Sequence, residues 1–193
     1  NGWFFFDTPK PNEEQTAGFR RVSRTPESPC EDGVFNGVTA MSVELSGHGD
    51  IYYTTDGSLP TMNSEKYTQP FGVTKTCVVR AVAVEAGAMP SRALTLSYIL
   101  NENHTLPVAS LASDSPYDFG MMYNNKKKGI ELPGSLSFYE DGGSFTIPCG
   151  IDMHGETSLE MRKKNMGIRF RGVYGQDMLN YDVYGGGVTE FES

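Results

Sequence analysis

Ile51-Tyr52-Tyr53-Thr54-Thr55-Asp56-Gly57-Ser58-Leu59-Pro60-Thr61 sets the fold of this chain. Its first half is built of β-branched and aromatic residues, the composition of a half-buried strand. Asp56-Gly57 predicts a tight turn, because Gly accepts a positive φ without steric cost. Pro60 has no N–H to donate and stops the sheet. Alternation along the strand puts Tyr52 and Tyr53 on opposite faces, so one of the pair can face solvent.

On either side, Val34-Phe35 and Ser42-Val43-Glu44-Leu45-Ser46 read as opening strands, and Thr76 to Glu85 as a longer one. Lys66-Tyr67-Thr68-Gln69-Pro70-Phe71, Ala88-Met89-Pro90-Ser91 and a closing strand over Leu94 to Tyr98 complete the order. In wording and order this stretch resembles the chitobiase/β-hexosaminidase C-terminal type of module, a small fibronectin type III-like sandwich appended to many extracellular bacterial proteins. The resemblance implies an immunoglobulin-like β-sandwich over residues 34–101.

Composition agrees with a β protein. Twenty-two Gly and eleven Pro in 193 residues favour many turns over long helices. A formal net charge of -8 argues against a nucleic-acid binder, which needs a basic surface. No apolar run approaches the roughly 20 residues of a membrane span. Cys30, Cys77 and Cys149 lie far apart, with neither a CxxC pair nor metal-ligand spacing. Cys77 and Cys149 fall in strand patterns, where a free Cys acts as a small apolar residue.

Residues 1–33 are expected to hold a strand remnant and a linker. Trp3-Phe4-Phe5-Phe6 is an aromatic strand ended by Pro9 and Pro11, and "WFFFDTPKPN" resembles the last strand of a lamin-tail module. A core strand outweighs a sugar-stacking platform there, because aromatic surface is mostly buried. Glu13 to Asp32 is polar, aperiodic and broken by Pro26 and Pro29, which reads as linker. The abrupt opening, with no signal peptide, reads as the interior of a longer protein.

The second half begins with a Pro-led edge strand, Leu106 to Leu111. Residues 113–129 read as loop, and Lys126-Lys127-Lys128 as a solvated part of it. Ser135 to Glu140 is a strand, Asp141-Gly142-Gly143 a turn. Phe145, Ile147, Cys149, Ile151 and Met153 then alternate strictly with Ser144, Thr146, Pro148, Gly150 and Asp152, predicting a hairpin strand with one buried face. Pro148 is expected at an edge or bulge. The chain is thus expected to be mainly β, with the sandwich followed by a second β-rich, antiparallel unit over residues 106–193.

Met166, Ile168 and Phe170 share one strand face, and Asn165, Gly167, Arg169 and Arg171 the other. If that strand reaches back to Lys164, the ammonium projects from the apolar face and needs an anionic partner. If it starts at 165 or later, Lys164 lies in solvent. His154, beside Gly155 at a strand end, reads as a turn residue with a structural hydrogen bond. Glu156, Thr157 and Ser158 form a polar loop that either approaches phosphate or starts a short helix. Asp56 belongs to its turn, and His48 and His104 have no partners at ligand spacing. No GxxxxGK[ST], GxSxG or HExxH motif occurs.

The run HGETSLEMRKKNMGIRFRGVYG over 154–175, led by a hairpin and by LPVASL further upstream, resembles the front of the spore-coat-protein-H (CotH) kinase family. That resemblance implies an atypical protein kinase moving phosphate from ATP to serine, with a lysine on the phosphates and acidic residues on Mg²⁺. Lys164 falls on the family's lysine position and is the expected cofactor-binding residue. The family often carries a second Gly where Glu156 stands, a departure that weakens backbone phosphate binding by this loop. The aspartate-bearing region is expected past Ser193. This stretch is therefore expected to hold no catalytic residue, metal ligand or cofactor of its own. ATP and Mg²⁺ belong to the longer protein, whose remaining kinase domain is the implied partner. The setting implied is extracellular, at the cell surface or in a spore coat. The competing expectation is a module that binds cell wall or polysaccharide through Trp3, Tyr52, Tyr53 or Tyr67.

Overall fold

The structure is a computed structural model that describes residues 18–141, 143–183, 186–187 and 189–192. Trp3-Phe4-Phe5-Phe6 and the prolines behind it lie outside the described residues. The chain divides into two compact units, Asn1–Asn103 and His104–Ser193. Both are built mainly of antiparallel strands, as composition and alternation led us to expect.

The first unit has seven strands: β1 Gly33–Phe35, β2 Met41–Val43, β3 Asp50–Thr54, β4 Glu65–Lys66, β5 Phe71–Val73, β6 Cys77–Val84 and β7 Leu94–Leu100. Five make one sheet in the order β1-β7-β6-β3-β4, and β2 pairs with β5 in a second. β1 runs parallel to β7, placing Phe35 beside Leu100; the other pairs are antiparallel. The core follows alternation: Ile51 and Tyr53 of β3 meet Val79, Ala81 and Ala83 of β6 and Leu96 and Tyr98 of β7, with Val43 and Val73 from the small sheet. Tyr53 stacks on Phe71 at 4.3 Å between centroids.

The turn after β3 forms as its residues dictate. Gly57 takes φ +79 and donates its N–H to the Val78 carbonyl at 2.9 Å. Asp56 Oδ1 accepts from the Ser58 N–H at 3.0 Å and from the Ser58 hydroxyl. Those Ser58 bonds hold the carboxyl below its ordinary pKa.

The polar stretch expected as linker is docked from residue 19 onward. Val22 bridges to Met89 and Glu27 to Ser46. The buried Ser23 hydroxyl donates to the Met89 carbonyl at 2.8 Å and accepts from the Glu85 N–H at 3.0 Å. Pro26 is fully buried. Aperiodic polar sequence hides such docking because isolated bridges and side-chain bonds, rather than an apolar face, hold the segment.

In the second unit, strands β8 Val108–Ser113, β9 Glu131–Glu140, β10 Gly143–Met153 and β11 Met166–Arg169 form an antiparallel sheet in the order β11-β10-β9-β8. β12 Met178–Asn180 pairs with β13 Glu190–Glu192. Ile147, Cys149, Ile151 and Met153 of β10 face one core with Met122, Leu159, Phe170 and Leu179. Pro148 lies opposite Ser135, outside the Gly150–Met153 part of β10 that β11 covers, so its missing N–H leaves no gap in that ladder.

One element corrects the loop expected over 113–129. Residues Pro116–Asn124 form helix α1, with Pro116 in its first turn and the Ser115 hydroxyl donating to Asp118 Oδ2 at 2.5 Å. Met122 is the buried residue of this helix, and its Phe119 and Tyr123 pack against the same core. Three apolar residues at i, i+3 and i+4 behind a Ser-Pro opening were the legible signal. Gly120 in mid-helix and the lysine triplet weakened it.

Candidate functional site

Strand β10 ends at Met153, and the chain turns at His154-Gly155, with Gly155 at φ +102. The His154 N–H donates to the Asn165 carbonyl at 3.1 Å; the side chain is exposed. A short 3-10 turn, Thr157–Glu160, buries Leu159 in the core. β11 begins at Met166, so Lys164 lies before the strand rather than on its apolar face. Met166 is 38% exposed, which shows the apolar stripe starting only at Ile168.

Lys164 is half-buried against α1. Its ammonium lies 4.5 Å above the centre of the Tyr123 ring. The Lys164 N–H points to the Tyr123 hydroxyl at 3.5 Å, and that hydroxyl donates to the Arg162 carbonyl at 3.3 Å. Tyr123 thus touches both ends of the Arg162-Lys163-Lys164 segment. Two ion pairs join the same elements, Lys126 with Glu160 and Lys128 with Glu156. The Lys128 ammonium holds the Glu156 carboxyl below its ordinary pKa. Two members of the lysine triplet, expected as solvated loop, therefore anchor the 156–160 turn at the surface.

The opposite face of β10 and β11 is polar. Arg169 pairs with Asp152 at 3.0 Å, and Arg171 with Glu131 at 3.0 Å. The Tyr174 hydroxyl donates to Glu131 Oε1 at 2.7 Å; burial, then that carboxylate, pushes the phenol up to about 12. Gly167 makes room for Asp152: a Cβ there would stand 2.1 Å from Asp152 Oδ1.

In the first unit, an open groove of about 640 Å³ is lined by Phe19, Asp50, Tyr52, Met62, Val84, Glu85 and Pro90, among others. Tyr52 is the half-exposed member of the tyrosine pair; Tyr53 is buried and Tyr67 packs against the core. The groove's carboxylates are engaged, Asp50 with Lys66 at 2.9 Å and Glu85 with Arg21 at 2.6 Å.

Among the described residues, no group of three His, Cys, Asp or Glu side chains converges as a metal site. No helix among them is long and apolar enough to cross a membrane. All three cysteines are free thiols. Tyr123, Phe19 and Met62 escaped sequence reading. Tyr123 sat in a stretch expected as loop, and the other two reach the groove only through tertiary packing.

A protein-family model described as Fn3 associated matches residues 43–98. The match runs from the end of β2 into β7 and fits a fibronectin type III-like associated module, a β-sandwich. Searches of curated proteins and of solved structures found no match.

Proposed function

We propose that this chain is a non-catalytic stretch of a secreted or cell-surface protein of the CotH type. Its sandwich, of the chitobiase C-terminal kind, acts as a spacer that presents the kinase region. Its second sheet opens an atypical kinase that phosphorylates serine with ATP and Mg²⁺ in the longer protein. The observation that carries this reading is the state of Lys164. Among the described residues no carboxylate neutralises it, whereas Lys126, Lys128, Arg169 and Arg171 nearby are each paired.

The energetics favour exchange of the ring for a phosphate. A cation over an aromatic face is worth about 0.5–2 kcal/mol. Two unit charges 4 Å apart near a protein surface attract by about 4 kcal/mol before desolvation. A single exposed pair nets only about 0–1 kcal/mol, so the several charges of a phosphate chain tip the exchange. A phosphate chain with several charges competes with the ring, and Tyr123 positions the ammonium at the end of α1. In this reading magnesium and the hydroxyl-orienting acid belong to the longer protein. MgATP titration of a version extended past Ser193 tests this, with Lys164→Ala beside it. The substitution is expected to weaken binding about tenfold or more, and equal affinity removes Lys164 from the site.

A second reading, binding of polysaccharide by the first unit, is favoured by one observation: Tyr52 and Phe19 line an open groove. Sugar rings stack on such faces, and Asp50 and Glu85 accept from hydroxyls. Tyr53 and Tyr67 are packed away from this role. Retention on insoluble polysaccharide, lost on Tyr52→Ala, supports it; no retention by the unsubstituted chain removes it.

A further inference from the structure

Six of the sixteen cations in this acidic chain sit in two short runs, Lys126-Lys127-Lys128 and Arg162-Lys163-Lys164. The fold brings the runs together, because Tyr123 bonds the Arg162 carbonyl and Lys126 pairs with Glu160. Glu156 and Glu160 are spent on Lys128 and Lys126. Lys127, Arg162 and Lys163 are exposed, and among the described residues no carboxylate pairs with them. With Lys164 they add four positive charges without a carboxylate partner to two runs that Tyr123 and the Lys126–Glu160 pair hold together, in a chain whose net charge is -8.

We infer that this surface, Lys127, Arg162, Lys163 and Lys164 at the C-terminal end of α1, binds a phosphate chain carrying several charges. Like charges gathered on joined segments repel one another, and a polyanion relieves that repulsion. Phosphate suits the donors: lysine meets it as a point charge, and Arg162 offers a fork of N–H groups. A phosphate group offers several acceptor oxygens where a carboxylate offers two, so a short phosphate chain meets more of these donors per unit length than an acidic peptide does. The inference goes beyond the kinase reading, since it needs binding without transfer and assigns the affinity to three residues besides Lys164.

Calorimetric titration of the present chain with sodium tripolyphosphate tests it. Binding is expected, weakening as salt is raised, with inorganic monophosphate about tenfold weaker or worse. The triple variant Lys127→Glu, Arg162→Glu, Lys163→Glu is expected to lose about tenfold or more; all three side chains are exposed, so the fold is kept. Absence of tripolyphosphate binding, or unchanged affinity in the triple variant, overturns the inference. So does a polyglutamate peptide that binds as well as tripolyphosphate, which makes the patch a protein-docking surface. MgATP binding that depends on Lys164 but not on the other three leaves the kinase reading standing and removes this one. Tripolyphosphate binding lost in the triple variant, together with equal MgATP affinity in Lys164→Ala of the extended version, keeps this inference and removes the kinase reading.

Discussion

Cys149 lies wholly buried in β10, and burial first, then the nearby Asp114, pushes its thiol up to about 12. The thiolate is the reactive form, so this sulfur is inert in the native state. Alkylation at mildly alkaline pH followed by peptide mass mapping should mark Cys30 and leave Cys149 unmodified until denaturant is added. Gly49 shows the opposite kind of constraint. It sits at φ +78, and a Cβ there would stand 2.4 Å from the Val84 carbonyl oxygen. Backbone cannot yield as a side chain does, so Gly49→Ala should destabilise the first unit by about 1–3 kcal/mol in denaturant melts. At this scale much was legible in the sequence. The Tyr52/Tyr53 parity, the Asp56-Gly57 turn and the buried Cys149 come from alternation and turn chemistry. The setting of Lys164 was not legible, because its partner ring belongs to an element 41 residues away.

Among elements, β10 was the most readable. Its odd residues from Phe145 to Met153 point inward without a break. Ile151 is completely buried at its centre, so Ile151→Ala should cost about 2–5 kcal/mol by chemical denaturation. α1 was missed because nine residues with a glycine inside give too short a period to stand out from loop. The docked segment before β1 carries a pH dependence. Glu85 accepts from the Arg24 N–H at 3.1 Å and from Arg21, and these bonds hold its carboxyl below the ordinary value. A carboxyl depressed on folding contributes stability above its unfolded pKa and loses it as pH falls through the folded one. Hydrogen-exchange protection of the Arg24 amide should therefore drop on acidification below the ordinary carboxylate range, and should not drop in Glu85→Gln, which starts low.

For the whole molecule, the two units carry separate cores, one around Val79 and Tyr98, the other around Ile151 and Met122. Val79→Ala and Ile151→Ala share no core neighbours, so their costs should add within about 0.5 kcal/mol in the double variant. A clear departure from the sum would show that the cores are coupled. Net charge pointed away from nucleic acid, yet it averages over a chain whose cations are unevenly placed. Only the fold shows that two basic runs far apart in sequence share one surface, which no linear pattern could state.

The pairing of β1 with β7 matters for mechanics. The first and last strands of the sandwich run parallel over Gly33–Phe35 and Tyr98–Leu100, and Asn101 fastens the end by donating its N–H to Phe35 and its side-chain amide to Val38. Tension that reaches β1 past the docked segment before it pulls these strands in opposite directions along their length. Their bonds are then sheared together rather than peeled one after another. A tether of this kind holds its extension under stretch and yields abruptly, in one step.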